Sequence, residues 1–298
     1  MNRNHKLSSV HGWIILDKKK GNSSAWAVSQ VRKILGVSKA GHAGTLDPLA
    51  SGVLPIAIGE ATKTVSFLQE SSKSYSFSIV WGEERDTGDA EGVITSRSLI
   101  RPSHKQIVEI CNFFIGDIIQ IPPIYSAIKI EGRRSYDLAR SGRFPELSPR
   151  SIRIDRLELI ESMSDQANFI ADCGKGTYIR SLAKDIAIKL GTVGYVGEIR
   201  RERVGELTSD KSISLEKLSK LVHKGCLDEA LYPVETALAD IPALPLTGSQ
   251  AKSLKDGQFV RVDTMTKGTV VAVCDGFPIA IAHVEDCKIR PVRVFNFN

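Results

Sequence analysis

Apolar and polar positions follow two different periods along the chain up to about residue 205. Between residues 24 and 36, apolar side chains recur at helical spacing behind Ser23 and Ser24, two candidate cap residues, which predicts a helix. Residues 73–82 alternate instead, and they place Tyr75 and Phe77 on one face of a predicted strand. Similar patterns predict helices at 103–114 and 177–190, and strands near 116–121, 124–131, 151–160, 167–173 and 193–205. Because helices and strands do not strictly alternate, we expect an α+β fold with a mixed, mostly antiparallel sheet.

A change of pattern near residue 241 separates the rest of the chain. Residues 240–248 contain two prolines within a short span, as linkers often do. Short β-rich runs separated by turns follow at 254–260, 268–273, 276–282 and 290–295. Runs of this kind predict a small β domain over residues 241–298, after a larger domain over residues 1–240.

Composition and charge narrow the possible functions only in part. The 298 residues, 42% of them hydrophobic, can bury one large core or two smaller ones. The 40 basic and 34 acidic side chains give a net charge of +6, which is compatible with a polyanionic partner. Residues 1–40 hold eight lysines and arginines, among them Arg3 and Lys6, against Asp17 alone. A second basic stretch lies at 129–156, and an ordinary solvated surface is the alternative for both stretches.

Several other classes of site lack support in the sequence. The five cysteines never fall at C-x-x-C spacing, so neither a disulfide scaffold nor a zinc site is expected. No apolar run approaches membrane-spanning length, and residues 13–16 are too short for a secretory signal, so we expect a cytoplasmic protein. Residues 174–177 lack the spacing of a nucleotide phosphate loop. The acids Asp86, Asp89 and Glu91 lack the spacing of a calcium loop and are interpreted as an acidic surface loop.

One aspartate is surrounded by strong constraints on the backbone. Asp47 lies in the run GHAGTLDPLASGVLP, residues 41–55. Pro48 directs Asp47 away from helical backbone angles, and the three glycines of the run permit turns and close approaches. An isolated Asp-Pro pair usually starts a turn, but these neighbours predict a loop that presents the Asp47 carboxylate rigidly.

This run resembles the catalytic motif of the tRNA pseudouridine-55 synthase B family. Further matches occur in the same order at 12–18, 21–24, 59–63, 73–75, 122–129 and 174–183, so the resemblance covers residues 12 to about 205. Lys19 departs from the pattern, because many relatives have a proline after the lysine that corresponds to Lys18. The resemblance implies a pseudouridine synthase fold, in which helices flank the central sheet. The tail resembles a PUA-type RNA-binding domain, with a small structural β domain as the alternative.

The family's reaction breaks the glycosidic bond of uridine, turns the uracil and rejoins it to the ribose through C5. Neither oxidation nor net hydrolysis occurs, so no cofactor is expected. Asp47 would act as nucleophile or base toward the ribose, or as nucleophile toward the pyrimidine, and the sequence leaves these open. By resemblance, Arg180 is the cation that pairs with Asp47, and Tyr75 stacks on the uracil and takes part in proton transfer at C5. The alternative for Arg180 is a surface arginine on an amphipathic helix, and the alternative for Tyr75 is an aromatic side chain of the core.

The same resemblance assigns other residues to substrate binding. Tyr178 and Ile199 correspond to residues that line the uridine pocket, with a β-core role as the alternative for Ile199. A stacked uridine must be flipped out to reach a buried aspartate, and His42 is expected to contact the rearranged RNA loop. Residues 131–150 resemble the insertion with which stand-alone enzymes grip the T arm. Three lysines are candidate phosphate contacts: Lys18, Lys63 and Lys129.

Together these features predict a stand-alone tRNA pseudouridine synthase that acts on the uridine at position 55 of the T arm. We expect a monomer that binds tRNA and needs neither a guide RNA nor a membrane. The alternatives are a non-catalytic RNA-binding or RNA-folding protein of the same fold, and a guide-RNA-dependent enzyme. The presence of Asp47, Tyr75 and Arg180 favours the catalytic prediction.

Overall fold

The computed structural model describes residues 10–297, which form two main β-sheets with seven α-helices packed around them. Arg3 and Lys6, which belong to the basic opening of the sequence, lie outside the described residues. The larger sheet is formed by residues up to 232, and the smaller sheet by residues 243–294. In the part of the chain that the structure describes, no helix is long and apolar enough to cross a membrane.

The first part of the chain contains fourteen strands and six α-helices among the described residues. The strands are β1 (Gly12–Lys18), β2 (Ala40–His42), β3 (Ser51–Ile58), β4 (Lys73–Trp81), β5 (Glu83–Arg85), β6 (Ile94–Arg97), β7 (Gly116–Gln120), β8 (Lys129–Ile130), β9 (Arg133–Arg134), β10 (Arg150–Ser162), β11 (Gln166–Cys173), β12 (Gly194–Val204), β13 (Leu207–Thr208) and β14 (Leu231–Tyr232). The helices are α1 (Ser24–Leu35), α2 (Val65–Glu70), α3 (His104–Phe113), α4 (Ser135–Arg140), α5 (Ile179–Lys189) and α6 (Leu215–Lys224).

The larger sheet is mixed and mostly antiparallel. Its order is β14-β1-β3-β12-β4-β11-β10-β7, with β2 paired to β3 and β13 paired to β12. Strands β3 and β12 are parallel, whereas the other pairings in this sheet are antiparallel. Two short hairpins, β5–β6 and β8–β9, lie outside it. The prediction of an α+β fold with this kind of sheet is therefore confirmed.

The predicted helix at 24–36 shows how local sequence sets the boundaries of an element. The side chain of Ser23 accepts a hydrogen bond from Trp26 N at the start of α1. Gly36 ends the helix with a φ of 65°, a left-handed conformation that glycine adopts at little cost. Val31 and Leu35 lie on the buried side of α1 and pack into the main core.

Two predicted strands are wrong. Residues 124–131 contribute only β8, because two prolines precede them and the chain makes a tight turn that the N–H of Ser126 closes. Residues 254–260 contribute only Val260 to a strand, since α7 (Gly248–Lys255) occupies their beginning. A capping box between Thr247 and Gln250 starts that helix.

The smaller sheet packs on the larger one. Its strands are β15 (Ala243–Pro245), β16 (Val260–Arg261), β17 (Gly268–Cys274), β18 (Phe277–Glu285) and β19 (Lys288–Val294), in the order β15-β17-β18-β19-β16. Val271, Ile281 and Phe295 share an apolar cluster with Trp13 and Ile15 of β1. The predicted domain boundary therefore separates two sheets that share a buried core, and the division into domains stays a prediction.

Candidate active site

The Asp47 loop connects β2 to β3 and is tied to neighbouring elements on both sides of the aspartate. Ser24 Oγ of α1 accepts a hydrogen bond from Leu46 N at 2.8 Å and donates one to Leu46 O at 2.9 Å. After Asp47, Pro48 O accepts a hydrogen bond from the ammonium of Lys18 at 3.3 Å. Buried polar groups thus hold the backbone immediately before and after the carboxylate.

Arg180 meets the Asp47 carboxylate at a single oxygen. Its Nε donates to Oδ2 at 2.9 Å, and its Nη2 lies 2.8 Å from the same oxygen. Arg180 also donates to backbone carbonyls, from Nη1 to Thr87 O and from Nη2 to Tyr125 O, both at 2.8 Å. The Arg180 side chain is 4% exposed and that of Asp47 is 32% exposed. Arg180 therefore holds Oδ2, while Oδ1 of Asp47 accepts no hydrogen bond from the described residues.

A second carboxylate lies beside Arg180. Asp89 Oδ2 is 3.8 Å from Nη1 of Arg180, and Oδ1 accepts hydrogen bonds from Thr87 Oγ1 at 2.6 Å and from Glu91 N at 3.0 Å. Asp89 is 4% exposed. The interpretation of Asp86, Asp89 and Glu91 as an acidic surface loop is therefore wrong for Asp89. The sequence of this loop does not show which of the three carboxylates is buried. The only indication is that a buried arginine such as Arg180 favours a second acid nearby.

Asp47 and Arg180 line a cavity of about 300 Å³. Tyr75, Tyr178 and Ile199, the other residues predicted to contact the uridine, line the same cavity. They reach it from different elements, because Tyr75 lies in β4, Ile199 in the adjacent β12, and Tyr178 immediately before α5. The structure brings these five residues together, and the role of each stays a prediction.

The cavity is strongly positive. Its lining contains one acid, Asp47, and four cations: Lys73, Arg150, Arg180 and Arg201. A concave surface with this charge attracts a polyanion and stabilises an ionised carboxylate within it. Within residues 10–297, no three His, Cys, Asp or Glu side chains lie close enough together to hold a metal ion.

Burial raises the pKa of the Tyr75 hydroxyl above its usual value, while the nearby Arg201 guanidinium acts in the opposite direction. The phenol is therefore protonated at neutral pH and can donate a hydrogen bond. His42 ends β2, and burial, followed by the charges of Arg201 and Arg134, lowers the pKa of its imidazole. His42 does not line the cavity; it lies at the start of the loop that carries Asp47.

The three lysines that were predicted to contact phosphates occupy different environments. Lys18 is 2% exposed, burial lowers its pKa to about 8, and its ammonium donates to Asn22 O at 2.7 Å. Lys63 lies 2.5 Å from Glu60 and donates to Val294 O at 2.6 Å. This geometry favours structural roles for both, one in the Asp47 loop and one between the two sheets. Lys129 is exposed at the start of the β8–β9 hairpin, where a phosphate contact stays a prediction.

The segment 131–150 carries a dense group of exposed cations. It contains β9 and α4, followed by a stretch without regular secondary structure. Its exposed arginines are Arg133, Arg134, Arg140 and Arg143. Two of them lie over the ring of Tyr136, with guanidinium carbons 5.8 Å and 5.7 Å from its centroid. The arrangement is compatible with the predicted contact between this segment and an RNA backbone.

Comparison with known proteins identifies the family. A model described as "TruB family pseudouridylate synthase (N terminal domain)" matches residues 32–179, and one described as "tRNA pseudouridylate synthase B C-terminal domain" matches residues 180–239. A tRNA pseudouridine synthase B from Bradyrhizobium diazoefficiens is 49% identical over 297 residues, which cover 96% of this chain and 86% of that protein. The chain belongs to the TruB family. The Rhodospirillum rubrum relative, another tRNA pseudouridine synthase B, is 46% identical over 99% of this chain and 100% of its own length.

Solved structures support the fold of the TruB family for this chain. A chain in a Cbf5-Nop10-Gar1 complex is 26% identical, with a TM-score of 0.74 over 96% of this chain and 85% of that one. A chain in the archaeal box H/ACA sRNP Nop10-Cbf5 complex is 23% identical, with a TM-score of 0.75 over 99% of this chain and 89% of that one. The predicted family and its fold are both confirmed.

Sequence reasoning missed two buried cations of this TruB-family cavity, Lys73 and Arg201. Burial lowers the pKa of Lys73 to about 8, with a smaller contribution in the same direction from Arg201. The available signal was strand alternation, which places side chains two residues apart on the same face. Lys73 precedes Tyr75 by two positions, and Arg201 follows Ile199 by two. Neither residue was predicted to line the cavity, because lysine and arginine side chains in a strand usually face solvent.

Proposed function

We propose that this protein converts uridine to pseudouridine at position 55 in the T arm of tRNA. The observation that carries the proposal is the Asp47 carboxylate, held at Oδ2 by Arg180 and otherwise open in a cavity whose other charged side chains are cations. The names of its TruB relatives, tRNA pseudouridine synthase B, support tRNA as the substrate.

In this reaction the target nucleotide leaves the RNA stack and its uracil enters the cavity, where Tyr75 forms the stacking surface. Asp47 attacks the ribose or the base, or removes a ribose proton, and the bond between C1′ and N1 breaks. The uracil then turns and C5 bonds to C1′, while any bond that Asp47 formed to the ribose or the base breaks again, or the ribose proton that it removed is returned. The proton on C5 departs and N1 gains a proton. Substrate and product are isomers, so the proposed chemistry involves no net oxidation and requires no redox cofactor.

We further propose that the protein acts alone, as a cytoplasmic monomer that binds tRNA without a guide RNA. The exposed arginines of segment 131–150 support this, since they offer a protein surface for the T arm. The H/ACA particles that contain the Cbf5 neighbours are assemblies of those proteins, and their likeness to this chain shows a shared fold.

The direct test is pseudouridine mapping on unmodified tRNA incubated with the purified protein and nothing else. We expect one new pseudouridine, at position 55, and none in a tRNA that carries cytidine there. Tight binding without any product would favour the non-catalytic alternative. Product that appears only after a guide RNA is added would overturn the stand-alone proposal.

Substitutions of Tyr75 should separate its ring from its hydroxyl. Base–aromatic stacking is worth about 1–3 kcal/mol, so Tyr75→Ala should weaken capture of the flipped uridine and slow the chemistry. Tyr75→Phe keeps the ring, and we expect normal tRNA binding with slow release of product, because the hydroxyl that takes part in moving the C5 proton is missing. Binding and single-turnover assays on both variants provide the measurement. Equal product rates for Tyr75→Phe and the unmodified protein would leave only the stacking role.

Exposed cations of the C-terminal sheet and of the neighbouring helix α7 should contribute to tRNA affinity. Removing the sheet would uncover Trp13 and Ile15 of β1, so point substitutions are the cleaner test. We expect the fourfold glutamine variant of Lys252, Lys255, Arg290 and Arg293 to bind tRNA more weakly, with a shallower salt dependence. Each lost phosphate contact should reduce that slope by about one unit.

The rate at saturating enzyme should change little in this variant, because none of its four substituted residues lines the cavity. Single-turnover kinetics and affinity across a salt series measure the two effects separately. Unaltered affinity and slope would show that the C-terminal sheet is structural and not an RNA-binding domain.

A further inference from the structure

Arg201 lies where β12 meets both neighbouring strands of the active site. Its Cα is paired with Gly52 of β3 in parallel register and with Tyr75 of β4 in antiparallel register. Gly52 has a φ of 99°, and a Cβ at that position would lie 2.2 Å from Arg201 O. Only glycine permits this approach. The backbone of Arg201 therefore touches the end of the loop that carries Asp47.

The guanidinium of Arg201 joins the two ends of that loop. Its Nε donates to Val53 O at 2.8 Å, and its Nη2 donates to Gly44 O at 3.1 Å. The two carbonyls bracket Asp47 in the sequence. Arg201 is 1% exposed, so water does not compete appreciably for these bonds. The planar fork of arginine suits this task because it donates in two fixed directions.

The charge of Arg201 is not cancelled by a carboxylate. Among residues 10–297, no acid lies within ion-pair distance of its guanidinium, whereas Arg203 on the same strand pairs with Asp172 at 3.3 Å. Burial raises the pKa of the Tyr75 hydroxyl, and the Arg201 charge opposes that effect, so its field reaches the cavity. The buried guanidinium therefore contacts both the loop carbonyls and the Tyr75 side chain, with no carboxylate of the described residues beside it.

We propose that Arg201 is a positioning residue: by holding Gly44 O and Val53 O, it fixes the Asp47 carboxylate relative to Tyr75 and the bound uridine. It acts through the loop. Its guanidinium also contacts the Tyr75 hydroxyl, and the exchange of the loop amides separates these two routes. The inference rests on the proposed function, because its rate assay is pseudouridine formation. A second readout, hydrogen exchange of the backbone amides of residues 44–53, is independent of that function.

The test compares Arg201→Met with Arg203→Met, a matched substitution on the same strand outside the cavity lining. We expect Arg201→Met to lower the single-turnover rate at saturating enzyme by roughly a hundredfold, the effect of a misplacement of about 1 Å. Affinity for tRNA should fall much less than the rate, because one cavity cation is lost, while amides in 44–53 exchange faster. Arg203→Met should change neither the rate nor the exchange of the loop.

Arg201→Lys provides the same test if Arg201→Met does not fold. It keeps the charge, but one ammonium cannot reproduce the fork, so the slow rate and the fast loop exchange should both persist. A normal rate in the Met or Lys variant would overturn the proposal, and so would a slow rate with unaltered loop exchange. An inactive unmodified protein would refute the proposed function, while the exchange comparison would still decide the role of Arg201.

Discussion

Replacement of Asp47 by alanine or asparagine should abolish pseudouridine formation while tRNA affinity stays within about tenfold, or roughly 1.4 kcal/mol. The chemistry needs an ionised group whose free oxygen faces the uridine, and neither replacement supplies one. Affinity is spared because phosphate contacts away from the cavity supply most of it. The measurements are product formation over long incubation and equilibrium binding at fixed salt.

The two Asp47 variants should also remain folded. Arg180 keeps its hydrogen bonds to Thr87 O and Tyr125 O and its contact with Asp89. Loss of the Asp47 carboxylate therefore does not leave the buried guanidinium without partners. Asp117→Asn, at an exposed acid of β7, is the matched control and should retain full activity. Any reproducible pseudouridine formed by Asp47→Ala would show that the carboxylate is not essential to the reaction.

Replacement of Arg180 by lysine should lower turnover by about two orders of magnitude or more, with much less effect on tRNA binding. Arginine contacts Asp47, Thr87 O and Tyr125 O at the same time, and a single ammonium cannot reproduce that geometry. Carbonyls left without donors should also cost about 1–3 kcal/mol of folding free energy. Single-turnover kinetics and thermal unfolding report the two effects.

The control for Arg180→Lys is Arg97→Lys, which alters an exposed arginine that pairs with Glu83 at 3.6 Å. Its rate and its unfolding temperature should match those of the unmodified protein. If Arg180→Lys were equally fast, the contact with Asp47 would have no part in catalysis. The cation that supports the carboxylate would then have to be sought elsewhere, first in Lys18, whose ammonium interacts with the charge of Asp47.

Much of the site could be predicted from the sequence because its candidate catalytic residues lie in local sequence motifs. Asp47 could be found from Pro48 and the surrounding glycines, whose effects on the backbone do not depend on the rest of the fold. The environment of Arg180 could not be found in this way, since two of its partners are the backbone carbonyls of Thr87 and Tyr125. Every residue has a carbonyl, so nothing in the side chains marks these two as acceptors.

The burial of Lys18 could not be predicted from the sequence for a related reason. Lys18, Lys19 and Lys20 are consecutive lysines, yet only Lys18 of the three is buried, because it ends β1 and its ammonium donates to Pro48 O in the loop before β3. Sequence distinguishes polar from apolar side chains, but burial of a polar one depends on partners supplied by distant segments. The wrong strand at 124–131 has a local cause, since the turn at Ser126 overrides the favourable composition.

The cluster that joins β1 to the C-terminal sheet has a consequence for biosynthesis. Trp13 and Ile15 are synthesised long before Phe295, which lies at the far end of the same cluster in the sequence. The cluster on this face of β1 therefore lacks part of its apolar cover until Val271, Ile281 and Phe295 have been synthesised. Apolar surface that remains uncovered during synthesis is prone to aggregation, so nascent chains stalled before β19 should depend on chaperones more than the finished protein does.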